Sequence, residues 1–107
     1  MKRIENISNE LKKGSTGSFI DKNSTKWTLL NGKFHSFNDE PAIYDLNTYK
    51  VWYWNGLEHR EDGPARINKQ RAGYISYGYY FYGILADSKK QFEDPNWRKL
   101  IEIKVFL

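Results

Sequence analysis

Trp52-Tyr53-Trp54-Asn55-Gly56-Leu57-Glu58-His59-Arg60-Glu61-Asp62-Gly63-Pro64-Ala65-Arg66-Ile67 is the stretch from which the fold can be read. An aromatic run enters Asn55-Gly56 directly. Asn-Gly supplies the two positive φ angles of a type I′ turn, the tightest reversal of a twisted strand. The block therefore opens as a hairpin. Beyond it, Asp62 is suited to cap its own loop, Gly63 to take a positive φ, and Pro64 to fix the entry to the next strand. His59, three residues past the glycine, is placed to hydrogen-bond this loop and hold it against the sheet.

The block recurs. Trp27-Thr-Leu-Leu-Asn31-Gly32-Lys-Phe-His35-Ser-Phe-Asn38-Asp39-Glu40-Pro41-Ala42-Ile43 repeats Asn, Gly and His at an offset of 24 positions and Pro-Ala at 23. A third, decayed copy, Tyr79-Tyr80-Phe81-Tyr82-Gly83, keeps the aromatic run and the glycine but lacks the histidine and the proline loop. Internal periods of this length mark arrays of one supersecondary unit. Catalytic residues need not recur, whereas scaffold residues must. Asn31, Gly32, His35, Asn55, Gly56, His59, Asp62, Gly63 and Pro64 accordingly read as structural repeat positions.

Around this centre the pattern predicts strands at 18–20, 26–30, 42–44, 49–54, 65–67 and 74–82, joined by turns and without intervening helices. That is an antiparallel meander of about two and a half hairpin repeats over residues 18–85. Residues 1–14 form an N-terminal helical segment, with Ile4, Ile7 and Leu11 on one stripe, Lys12 and Lys13 in the last turn and Gly14 just beyond. Residues 87–107 form a C-terminal helical segment. Asp87-Ser88 caps one turn over 89–93, and Asp94-Pro95 opens a second helix through about Lys104. Val105, Phe106 and Leu107 leave a closing strand as the alternative from Ile101 onward. The fold class is α+β in one domain, 1–107.

With 107 residues, the chain is long enough for one core, burying roughly two-thirds of its unfolded surface. Aromatic residues are 17% of it, so rings build much of that core. There is no cysteine, which excludes disulfides, thiolate-held metals and thiol catalysis. No apolar run approaches the ~18 residues of a membrane span, and no signal-peptide core is visible. A cytoplasmic protein is expected. The net charge of +4 divides unevenly: residues 1–35 carry +4, residues 36–65 carry −4 and residues 66–107 carry +4. An acidic middle with basic ends argues for a partner of complementary patches more than for a uniform polyanion.

His35 and His59 are the only histidines, and a metal pair would need a further ligand such as Asp39 or Asp62. Repeat-equivalent histidines lie about one hairpin apart rather than converging. No P-loop, nucleophile elbow or paired-carboxylate signature is present. No catalytic residue, metal or cofactor is assigned. The run 74–82 is the candidate binding surface. As one strand it places Tyr77, Tyr79 and Phe81 on one side and Tyr80 and Tyr82 on the other. Rings beside Arg66, Lys69 and Arg71 suit either a protein interface or the stacking of single-stranded bases. With Trp54, the interface set is Tyr77, Tyr79, Tyr80, Tyr82, Trp54, Arg66 and Arg71. An uncovered aromatic edge strand would also permit a dimer.

The string Trp54-Asn-Gly-Leu-Glu-His-Arg-Glu-Asp-Gly-Pro-Ala65 resembles a repeat of uncharacterised phage and bacterial proteins, W-x-N-G-x-x-H-R-x-D-G-P-A. The second unit matches it from Asn55 through Ala65. The first departs at His35-Ser36 and at Asp39-Glu40-Pro41. In architecture the pattern is similar to MORN-type hairpin repeats. The resemblance implies a twisted sheet of successive hairpins and no known catalytic chemistry. It points to a phage or mobile-element accessory protein acting in the host cytoplasm, without enzyme activity, by binding and inhibiting a host protein such as a defence complex. An RNA or single-stranded DNA binder is the alternative, and a small metal-dependent hydrolase using His35 and His59 is the third reading.

Overall fold

A computed structural model describes the chain at every residue except Asn47 and Arg71. The elements run β1 (Lys2–Arg3), α1 (Ser8–Lys13), β2 (Gly17–Ile20), β3 (Lys26–Leu30), β4 (Lys33–Phe34), β5 (Ile43–Asp45), β6 (Tyr49–Val51), β7 (Tyr53–Trp54) and β8 (Leu57–Glu58). They continue with β9 (Arg66–Lys69), β10 (Ile75–Gly78), β11 (Tyr80–Phe81), β12 (Ile84–Leu85), α2 (Lys89–Phe92) and α3 (Pro95–Phe106). The protein is α+β, with an open and mostly antiparallel sheet and short helices. The main sheet has the order β1-β2-β3-β5-β6-β9-β10, in which only β1 and β2 are parallel.

Three two-residue turns depart from this sheet. Asn31-Gly32 joins β3 to β4, Asn55-Gly56 joins β7 to β8, and Tyr82-Gly83 joins β11 to β12. Their φ angles are 51° and 77°, 43° and 85°, and 45° and 84°. The decayed third copy thus keeps the turn, with tyrosine in the left-handed position that asparagine fills elsewhere. Where a long strand becomes a short hairpin, one residue divides its two backbone groups. Trp52 donates its N–H to Ala65 O (2.7 Å) in the long hairpin and accepts from His59 N–H (3.1 Å) in the short one. Thr28 does the same with Ala42 (2.8 Å) and His35 (3.2 Å). Ala42 and Ala65 are wholly buried at these crossings.

The division explains two departures from the strands expected at 49–54 and 74–82. Each is two strands, broken at Trp52 and at Tyr79. The alternation assigned to 77–82 as one strand fails for the same reason, and Tyr82 lies in a turn. At the N-terminus the helix is shorter than residues 1–14. Lys2 and Arg3 pair with Phe19 and Ile20 instead, and Ile4 N–H donates to Ile20 O (2.9 Å). Gly14 ends α1 in the left-handed region as expected. At the other end Ser88 caps α2, Asp94 caps α3 with Pro95 in its first turn, and α3 continues as helix to Phe106.

The short hairpins stack in register. Gly56 N–H donates to Phe34 O (2.8 Å), and Gly83 N–H to Glu58 O (2.7 Å). Ser36 N–H meets Tyr53 O (2.8 Å), and Arg60 N–H reaches Tyr80 O (3.4 Å). The first turn rests on the residues after α1, where Gly32 N–H donates to Ser15 O (2.9 Å) and Asn31 N–H to Thr16 Oγ1 (2.8 Å). The stack ends where Asp87 N–H donates to Gln91 Oε1 (2.7 Å). Phe81, Ala86, Phe92 and Ile101 form the core there, so the C-terminal helices close the third hairpin rather than cover a face of the main sheet.

Candidate functional site

Each histidine holds the turn of the next repeat. His35 Nδ1 accepts from Asn55 N–H (3.1 Å), and His59 Nδ1 accepts from Tyr82 N–H (2.9 Å). The expectation that each imidazole ties down its own downstream loop is met only in part, by the contact of His59 Nε2 with Glu61 (2.9 Å). Because Nδ1 accepts, His59 is the Nε2–H tautomer, donating to the Glu61 carboxylate. Its ring stacks on Tyr82 (3.8 Å between centroids) and tilts against Phe81 (4.8 Å). Both histidines thus serve separate turns. Among the described residues no group of three or more His, Asp or Glu side chains converges to hold a metal.

Burial pushes the His59 imidazole below its ordinary value, against the opposing pull of Glu61. Burial lowers His35 as well. Protonating Nδ1 would also replace an acceptor by a second donor facing Tyr82 N–H. The folded state therefore binds fewer protons than the unfolded chain, and stability is full above the ordinary histidine value of 6.5. It is lost as pH falls from there through the depressed folded values. Thermal midpoints recorded from about pH 8 down to pH 5 are expected to drop below about pH 6.5, the range in which histidine titrates. A double His35→Asn, His59→Asn variant lacks that drop if the titration belongs to these rings. A flat wild-type profile refutes the assignment.

The loops between repeats are gripped by arginine. Arg60 donates bidentately to the Asp39 carboxylate (3.0 and 3.1 Å), donates to Pro64 O (3.2 Å), and lies 3.8 Å over the Trp52 ring. Gly63 is not in the positive-φ region. A Cβ there would sit 3.2 Å from the Arg60 guanidinium, so close approach explains this glycine. No hydrogen bond to the Asp62 carboxylate caps the loop among the described residues. In the third unit Asp87 stands where Arg60 stands in the second. Arg98 of α3 supplies the missing guanidinium, donating to Glu61 O (2.7 Å) and Phe92 O (2.6 Å) and lying over Phe81 and Phe92. Arg98 gave no signal in the sequence, since it lies outside the repeat.

The proposed binding rings separate into two groups. Trp54 and Tyr82 pack edge-on against each other (5.3 Å) and against Phe106 (5.4 and 4.9 Å), under the end of α3. Tyr79 packs on Phe92 (5.2 Å), Tyr80 is half-buried, and Arg66 pairs with Glu58 (2.8 Å). Among the rings of the set Tyr77 alone is strongly exposed, at 56%, and Arg71 lies outside the described residues. Two companions of Tyr77 in the run 74–82 stand outside the expected interface set, namely Tyr74 (73% exposed) and Ile75 (50%). All three lie at β10, the last strand of the main sheet, which pairs with β9 on one side only among the described residues. Tyr74 O accepts from Gln70 N–H (2.7 Å) on the β9 side. By alternation the backbone groups of Ile75 and Tyr77 point away from β9. The opposite edge, β1, carries Lys2 and Arg3, charges of the kind that discourage strand addition.

Comparison with protein-family models, with curated proteins and with solved structures yields no match to this chain.

Proposed function

We propose that the protein is a non-enzymatic interaction module that captures a protein partner by strand addition at β10. The observation that carries this reading is an uncharged edge strand with one neighbour among the described residues and three exposed large apolar side chains, Tyr74, Ile75 and Tyr77. In an array of about two and a half repeats, that edge is where a further return strand would lie. The chain enters α2 instead. Main-chain bonds from the partner give affinity in such a mode, and alternate side chains give specificity. That the partner is a host protein of a phage-encoded inhibitor rests on the repeat resemblance alone.

Tyr77→Pro removes an N–H that points away from β9, so it blocks an added strand while sparing the β9 ladder. Tagged wild-type and Tyr77→Pro proteins are compared in bacterial lysate, with thermal midpoints measured alongside. A protein retained by the wild type and reduced at least about tenfold with an equally stable variant supports the reading. Equal capture by both, or capture by neither, refutes it.

A further inference from the structure

Across the main sheet Arg3 stands opposite Ile20, Ile20 opposite Lys26, Lys26 opposite Tyr44, Tyr44 opposite Lys50, Lys50 opposite Ile67 and Ile67 opposite Tyr77. Residues directly opposite share a face. The row therefore sets three cations and two rings on one side of the sheet, with isoleucines between and no acid among them. The adjoining row points to the opposite side, and its Phe19, Ile43 and Val51 are buried, while Lys2 and Arg66 towards its ends are exposed. The first row is thus the outer face, and its lysines and Tyr44 are only half-buried.

The acidic middle of the sequence does not follow these strands. Asp39, Glu58 and Glu61 lie in or beside the short hairpins, in ion pairs with Arg60, Arg66 and Arg98. Asp45 belongs to the opposite face, two residues along β5 from Ile43. Arg3, Lys26 and Lys50 enter no ion pair with another described residue. Three acids border the rim: Glu40 shares a hollow of about 220 Å³ with Lys26, Pro41 and Tyr44, and Glu5 and Asp21 share another with Arg3 and Ile20. Folding thus separates charges that the linear sequence interleaves. The Lys50 ammonium stands 5.2 Å over the Tyr44 ring, which joins a cation to a stacking surface.

We infer that this face binds single-stranded nucleic acid, with Arg3, Lys26 and Lys50 on phosphates and Tyr44 stacking a base. The inference goes beyond the strand-addition reading and uses a different surface, the two meeting at Tyr77. Seven strands at about 4.8 Å spacing give a track of about 29 Å, which a flexible single strand can follow. Rings on an open sheet face suit unstacked bases, whereas a duplex keeps its bases stacked inside.

The test is fluorescence anisotropy of the intact protein with a labelled oligothymidylate or oligouridylate of about 12 nucleotides, a length in the range of single-strand sites. Three phosphate contacts predict a slope of log K against log salt of about −2, or about a fifteen-fold loss between 50 and 200 mM. Lys26→Ala with Lys50→Ala is expected to bring the slope to about −0.7. Tyr44→Ala is expected to weaken binding about tenfold, and Tyr44→Phe to restore it. Absence of binding at about 50 mM salt, where electrostatic affinity is high, overturns the inference. An unchanged slope in the double-lysine variant does the same, as does equal affinity for a duplex or for heparin with Tyr44→Ala unaffected. An acidic protein captured through the same lysines, with no oligonucleotide bound, also refutes it. None of these variants lies in β10, so this test and the strand-addition test fail independently.

Discussion

Gly32→Ala is expected to destabilise the protein by about 3–4 kcal/mol, while the same change at the equivalent Gly56 removes only about 1–2 kcal/mol. Both glycines have strongly positive φ, 77° and 85°, where a Cβ strains the backbone by about 1–2 kcal/mol. Their surroundings differ. A Cβ on Gly32 would stand 2.7 Å from Gly14 Cα and 2.8 Å from Leu11 O, both backbone atoms at the end of α1. On Gly56 the nearest atoms are the flexible Lys33 side chain, at 3.9 Å. Forcing α1 away from the first turn adds an overpacking penalty of about 1–3 kcal/mol. It also stretches the bonds to Ser15 and Thr16. Urea denaturation of both variants measures the difference. Equal costs would show that α1 does not brace the first turn.

His59→Ala is expected to cost about 3 kcal/mol, and His35→Ala about half that. In each case the substitution removes the acceptor of a turn N–H, which costs about 1–3 kcal/mol when the donor is left buried. His59 adds ring contacts with Tyr82 and Phe81, worth about 0.5–1.5 kcal/mol for each aromatic pair. It is only 7% exposed, whereas His35 is half-buried. His35 makes one ring contact, with Phe37 at 4.8 Å. A catalytic His59 would behave otherwise, its loss leaving stability nearly intact. Chemical denaturation of both variants decides between the two roles, and a stable His59→Ala protein would remove the turn-locking assignment.

The features legible in the sequence are those fixed by local chemistry. Asn-Gly set the turns because few residue pairs take two positive φ angles. Asp94-Pro95 marked the start of α3 because a cap and a proline act within a few residues, and the Lys26–Leu30 strand was found at its observed limits. What escaped depends on partners distant in the chain. Nothing in the run from Tyr49 to Trp54 reveals that Trp52 shares its backbone between two hairpins. Nothing near Lys2 announces pairing with Phe19. The histidines read from the sequence as scaffold positions, but their bonds cross to a turn 20 and 23 positions downstream, a choice that only stacking settles. The candidate surface was legible as aromatic. Which rings remain exposed was decided by α3, whose Phe106 covers Trp54 and Tyr82 and leaves β10 bare.

The manner of stacking bears on how such a chain can change in evolution. Each turn touches only the one before and the one after, through the same few bonds. A duplicated stretch of about two dozen residues would find its seat ready made, its glycine reaching back to the preceding carbonyl and its imidazole reaching forward. Thr16 opens the series and Gln91 shuts it, whatever number of members stands between. Length is therefore an adjustable quantity in this architecture, and the breadth of the outer sheet would grow in step with it.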